Sequence, residues 1–97
     1  MINILIIDED KSTQESIKAL LIHQGNVSGI YTTAEALSSY YIYQRYKPDL
    51  IFLNSQMLND PATETLMRMQ KQSELIITTN SANDVFCLVK SYAIGYL

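Results

Sequence analysis

Leu50-Ile-Phe-Leu53 is the stretch that most narrows what this chain can fold into. Four apolar residues in a row, with no polar alternation, suit a strand covered on both faces, the central position of a parallel sheet. Pro48-Asp49 bounds the run on one side and Asn54-Ser55 on the other. Pro48 lies just outside it, where a missing N–H costs no ladder bond. Whatever follows the carboxyl end of such a strand stands at the rim where open α/β sheets place ligands. Here that residue is Asn54, followed by polar Ser55 and Gln56. Taken alone, the stretch reads as a strand that simply ends; the rest of the chain changes that.

Ile2 to Ile7 is a second apolar run, rich in β-branched residues, that breaks abruptly into Asp8-Glu9-Asp10. Ser12-Thr-Gln-Glu15 has capping-box spacing, with Asp10 just ahead as another cap candidate. Ile17, Leu20 and Leu21 then follow at helical spacing, widened by Ile22, and Gly25 is the natural left-handed terminator. His23, the one histidine, reads as a solvated helix-end residue rather than a ligand. Val27 to Tyr31, interrupted by Gly29, is a weaker strand expected near a sheet edge. Thr32-Thr-Ala-Glu35 offers a second capping box for a helix reaching about Tyr43, which carries Tyr40, Tyr41 and Tyr43 with Tyr46 just after. Such a surface serves either as a partner site or, more commonly, as amphipathic cover for a small core.

Asn59-Asp60-Pro61 reads as a turn into a third helix whose buried face is Ala62, Leu66 and Met69, flanked by Met67. Leu75 to Thr79 is another buried strand, Asn83-Asp84 caps a fourth helix over about 85–92, and Gly95-Tyr-Leu97 begins a fifth strand. The order is β-α-β-α-β-α-β-α-β, which predicts an α/β fold: a doubly wound, five-stranded parallel sheet with right-handed crossovers. The helix that should follow the fifth strand is missing, so the chain is expected to be C-terminally incomplete, a single domain over 1–97.

Composition narrows the function. A 97-residue chain with 47% hydrophobic and 18% charged residues is globular. Its net charge of −3 gives no field for gathering phosphate backbones, so direct nucleic-acid binding is not expected. No apolar run approaches a membrane span, and one cysteine, Cys87, suits a reducing cytoplasm. A parallel sheet brings Asp8-Glu9-Asp10, Asn54 and Thr79-Asn80 to one rim. Carboxylates beside carbonyl oxygens suit a hard divalent cation such as magnesium, although acids there also serve the dipole of the first helix. A dinucleotide is disfavoured, because no glycine-rich loop follows the first strand and three acids repel a phosphate.

These residues resemble the receiver domain of two-component response regulators, a flavodoxin-like fold. The resemblance runs from Ile4-Leu-Ile-Ile-Asp8-Glu9 through Lys47-Pro-Asp-Leu-Ile-Phe-Leu-Asn54-Ser-Gln-Met57 to Gly95-Tyr-Leu97. It implies Asn54 at the phosphoacceptor position, Asp8 and Glu9 as the acidic pocket, and Thr79 and Tyr96 as switch residues. The family's magnesium would fall to Asp8, Glu9, Asn54 and Gln56. It implies no enzyme activity of the chain's own, a histidine kinase or an output domain such as a transcription regulator as partner, and a homodimer through the 85–97 face. The departures are informative. Asn54 is a neutral amide where the family has a nucleophilic aspartate, so magnesium is expected to bind weakly or not at all. Leu58, Ala62 and Asn80 also depart from the family pattern. Together they imply a pseudo-receiver no longer run by phosphate. The Thr78-Thr79 pair and the Ile-Gly-Tyr-Leu tail look most like receivers of LytTR-type regulators. The alternative is a phosphatase resembling the haloacid-dehalogenase type, with Asp8 as nucleophile and Asp10 as acid/base; it lacks the later acidic pair such an enzyme needs.

Overall fold

A computed structural model of the chain describes residues 1–69 and 73–78. Over these residues the element order is β1 (Ile2–Ile7), α1 (Lys11–Leu21), β2 (Val27–Thr33), α2 (Ala36–Tyr46), β3 (Leu50–Asn54), a 3-10 turn (Ser55–Met57), α3 (Pro61–Met69) and β4 (Glu74–Thr78). The four strands form one parallel sheet in the order β2-β1-β3-β4. This is an α/β architecture compatible with a flavodoxin-like fold. The expected fourth helix and fifth strand fall outside the described residues.

The unbroken apolar runs become the two central strands because both of their faces are covered. Leu5, Ile7, Ile51, Leu53, Leu75 and Ile77 point to one side, where Ala36 of α2, Met57 and Leu66 of α3 complete the layer. Ile4, Ile6, Phe52 and Ile76 point to the other, against Ile17 of α1. Each fully buried Leu or Ile contributes roughly 1.5–3 kcal/mol relative to exposure, so these strands hold the sheet together. β1 and β3 pair Ile7 with Leu53, and β3 and β4 pair Asn54 with Thr78, which brings Asp8, Asn54 and Thr78 level at the carboxyl rim.

Several sequence expectations change at the helix ends. In α1 Ile17 of the expected stripe is buried, and Leu21 packs half-buried against the same cluster. Leu20 and Ile22 are more than half exposed, and the polar Gln14 takes the inner position instead. Its amide donates to the Asp8 carbonyl at 2.6 Å, which makes burial of a polar side chain affordable in place of a leucine. Gly25 does not adopt the left-handed conformation expected of it; α1 ends at Ile22 in right-handed geometry. The left-handed terminator occurs instead at Lys47 after α2 (φ 47°, ψ 64°), whose N–H donates to the Tyr43 carbonyl.

β2 runs two residues further than expected. Thr32 and Thr33 pair with Ile6 and Ile7, and the Asp8 N–H donates to the Thr33 carbonyl at 3.0 Å. The proposed capping box at Thr32–Glu35 is therefore absent, because the ladder takes the threonine backbone first. The Thr33 hydroxyl instead accepts from the Glu35 N–H. β2 lies at the sheet edge, as Gly29 suggested, and Gly29 has its own packing reason. The Tyr31 hydroxyl lies 2.9 Å from where a Cβ would stand. The Tyr31 ring in turn stacks on Tyr46, with centroids 4.1 Å apart. In α3, Leu66 is buried as expected, Ala62 and Met67 pack against the core, and Thr63 is wholly buried beside them.

Candidate functional site

Three turns leave the carboxyl ends of β1, β2 and β3 at the same rim. β1 delivers Asp8, which is 2% exposed, because the strand continues straight into the loop beneath α1. β3 delivers Asn54, also 2% exposed, as the cap of the 3-10 turn. The two side chains meet: Asn54 Nδ2 donates to Asp8 Oδ2 at 3.2 Å, and Asn54 Oδ1 accepts from the Gln56 N–H at 2.9 Å. Asp8 Oδ1 accepts from the Asp10 N–H at 2.8 Å. The reverse amide orientation would set an oxygen against a carboxylate and an NH2 against an N–H, so donor–acceptor matching fixes this one.

Burial is the main influence on the Asp8 carboxyl and raises its pKa above the usual 3.8. The hydrogen bonds from the Asp10 N–H and Asn54 oppose that shift, and the negative charges of Asp10 and Glu9 reinforce it. Asp10 behaves oppositely. Its exposed carboxylate caps α1, accepting from the Ser12 N–H at 3.0 Å, the Ser12 hydroxyl at 3.0 Å and the Thr13 hydroxyl at 2.9 Å. The Thr13 and Ser12 bonds hold its pKa below 3.8.

The acidic pocket of the sequence reading thus divides. Asp8 and Asn54 come together, while Glu9 stands exposed and lines an open cleft of about 310 Å³ with Gln56, Met57, Glu35 and Asp60. Thr78 is the residue paired beside Asn54 in the sheet, and it is buried. Thr79 and Tyr96, the expected switch positions, lie outside the described residues, as does the 85–97 face. Among the described residues no three His, Cys, Asp or Glu side chains gather to hold a metal ion. Of the residues the resemblance names for magnesium, Asp8 and Asn54 are hydrogen-bonded to each other and to backbone N–H groups, whereas Glu9 and Gln56 line the cleft. Both Asp8 oxygens accept protein hydrogen bonds, the Asp10 carboxylate faces its helix, and Asn54 Oδ1 accepts a backbone N–H.

The chemistry of the pair follows from the amide. Two carboxylates at this separation would need a cation or a shared proton between them. An amide facing a carboxylate needs neither, because it supplies the donor itself. Gln14, which seats the Asp8 carbonyl, and Glu35 and Asp60, which line the cleft, were not singled out for this rim by the sequence. Gln14 carries no apolar signal, and the two acids come from separate turns that only the fold brings together. No protein-family model matches the chain, and neither does any curated protein or solved structure. No helix among the described residues is long and apolar enough to cross a membrane.

Proposed function

We propose that the chain is a receiver-like signalling module that acts through protein contacts without accepting phosphate. The observation that carries this reading is the closed pair at the rim: Asn54, at the position the family uses for phosphoryl transfer, is a buried amide donating to Asp8. A neutral amide is not a nucleophile for phosphoryl transfer, and its NH2 group is turned toward Asp8 Oδ2. On this reading the module belongs to a two-component or phosphorelay system in the cytoplasm. It controls an attached or partner output domain, such as a transcription regulator, and its homodimer face is the 85–97 segment. It is not itself an enzyme. A phosphatase built on Asp8 is less favoured, because a nucleophile needs an open approach. Asp8 is 2% exposed with both oxygens hydrogen-bonded, and Asp10 caps a helix.

Incubation with acetyl phosphate and magnesium tests the reading by intact mass. The chain should remain unchanged, and a stable added phosphoryl group overturns the proposal. Asn54→Asp, run beside it, should bind magnesium more tightly than the unsubstituted chain, because a carboxylate raises the ligand charge count. Equal affinity would mean that position 54 is not part of a cation site.

A further inference from the structure

A surface away from the Asp8–Asn54 bond combines two properties. α2 exposes Leu37 and Tyr41, each 61% accessible and four residues apart on one helix face. With Tyr40, Ala62 and Thr65 they line a shallow groove of about 150 Å³ between α2 and α3. Tyr40 packs edge-on against Tyr41 with ring centroids 5.3 Å apart, so that wall is preset. Leu37 also borders the cleft of about 310 Å³ lined by Glu9, Glu35 and Asp60, so the apolar groove and the acidic cleft adjoin at this residue.

Among the described residues no Lys or Arg lines either depression. Among the described residues the one salt bridge is Arg68 with Glu64, and none of the three cleft acids takes part in it. Asp60 Oδ1 accepts from the Ala62 N–H at the start of α3. Glu35 stands at the N-cap position of α2 yet makes no side-chain capping bond. Its charge adds to the field of the cleft instead.

We propose that this surface docks a basic amphipathic segment of a partner protein. The partner's apolar side chains enter the Leu37–Tyr41 groove, and its lysines or arginines lie over Glu9, Glu35 and Asp60. The inference rests on the reading of the chain as an interaction module and adds the surface and the partner's chemistry. Charge complementarity selects the occupant. Phosphate-bearing ligands are repelled by three carboxylates, and a second copy of a chain of net charge −3 brings like charge. A cationic segment is drawn in at range and then anchored on the aromatic groove.

The test uses two synthetic peptides, one with leucines at helical i, i+3, i+4 spacing and lysines elsewhere, the other with glutamates replacing the lysines. The lysine peptide should bind at least about tenfold more tightly than its twin. Leu37→Ser should weaken it about tenfold, as loss of an apolar anchor does. Glu35→Gln should weaken it roughly threefold or more, whereas Glu15→Gln, the same charge change on α1, should alter it less than about twofold. Equal binding of both peptides overturns the proposal, as does binding indifferent to Leu37→Ser and Glu35→Gln. Self-association abolished by Leu37→Ser would place a second copy there and overturn it as well. The two readings fail separately. A phosphorylated chain that still binds the lysine peptide overturns only the first, and an unphosphorylated chain that does not bind overturns only this one.

Discussion

The β1–α1 and β2–α2 turns leave neighbouring strands at the same rim, and each puts an acid at the cap of the following helix. They use that acid differently. Asp10 spends its carboxylate on the Ser12 N–H and on the Ser12 and Thr13 hydroxyls. Glu35 has the extended backbone of a cap residue, φ −124° and ψ 135°, and its carbonyl accepts from the Ser39 N–H, but its side chain makes no capping bond to the helix. Aspartate reaches the N–H groups of the first turn, and the extra methylene of glutamate does not suit that geometry. Asp8, two residues before Asp10, is committed as well, to Asn54 and to the Asp10 N–H. Three acids in a row therefore suggest a charged site more strongly than they make one. Among the described residues, the uncommitted charge of the rim lies with Glu9 and Glu35.

The largest expected effect breaks the committed turn at its deepest bond. Asn54→Asp sets a second buried carboxylate against Asp8 Oδ2, where the amide now stands at 3.2 Å. In chelator at pH 7 this should cost about 2–4 kcal/mol of unfolding free energy, from like-charge repulsion and loss of the donor. Urea unfolding measures it. The loss should shrink toward acid pH, where the pair shares a proton, and on addition of magnesium. Wild-type stability for this variant in chelator would mean that the two side chains do not meet.

A second experiment separates Asp8 from Asp10 by the sign of their pH dependence. Burial raises the folded-state value of Asp8 above 3.8, so between 3.8 and that raised value the folded state holds more protons than the unfolded state. Stability from this residue falls as pH rises through that window, and the penalty is complete above it. For Asp10, held below 3.8 by its caps, the contribution is present above 3.8 and is lost as pH falls through the lowered value. Asp8→Asn should remove the first slope and keep the second. Turning an amide N–H toward one of two donors adds a cost that does not vary with pH. Relative to wild type, the variant should therefore gain stability as pH rises above 3.8, read from denaturant midpoints across pH. Parallel profiles for the two proteins would contradict the burial argument.

The same contrast explains how much of the molecule was legible in its sequence. Ile2–Ile7 and Leu50–Leu53 are found as strands because burial on both faces removes every polar residue but Asn3, a strong local signal. The α1 stripe is legible at Ile17 and Leu21 but not at Leu20 and Ile22, because the other residue that turns inward is Gln14, whose reason for burial is the Asp8 carbonyl, six residues away. Thr32 and Thr33 carry both a cap signal and a strand signal, and pairing with Ile6 and Ile7 decides between them. At the site, the general rule that ligands gather at the carboxyl rim is enough to single out Asp8 and Asn54. It cannot give the direction of the bond between them. Nor can it show that Glu35 and Asp60, 25 residues apart in the chain, share one cleft.

The smallest effect sharpens the comparison from the uncommitted side. Serine at position 35 keeps the extended backbone and gives α2 an oxygen within reach of the Leu37 or Ser38 N–H. Glu35→Ser should therefore stabilise the chain by about 0.5–1 kcal/mol, while Glu35→Ala, which supplies no acceptor, should stay within about 0.5 kcal/mol of wild type. Asp10→Ala should lower stability by removing a cap that α1 already has. Thermal unfolding of the three variants measures all of this. The informative result is the pairing of Glu35→Ser with the lysine-peptide titration. A substitution that raises stability and weakens binding marks an acid kept off its helix at a cost to the fold. A fall in stability for Glu35→Ser would show that the glutamate already serves α2, and the two turns would then not differ in the way described.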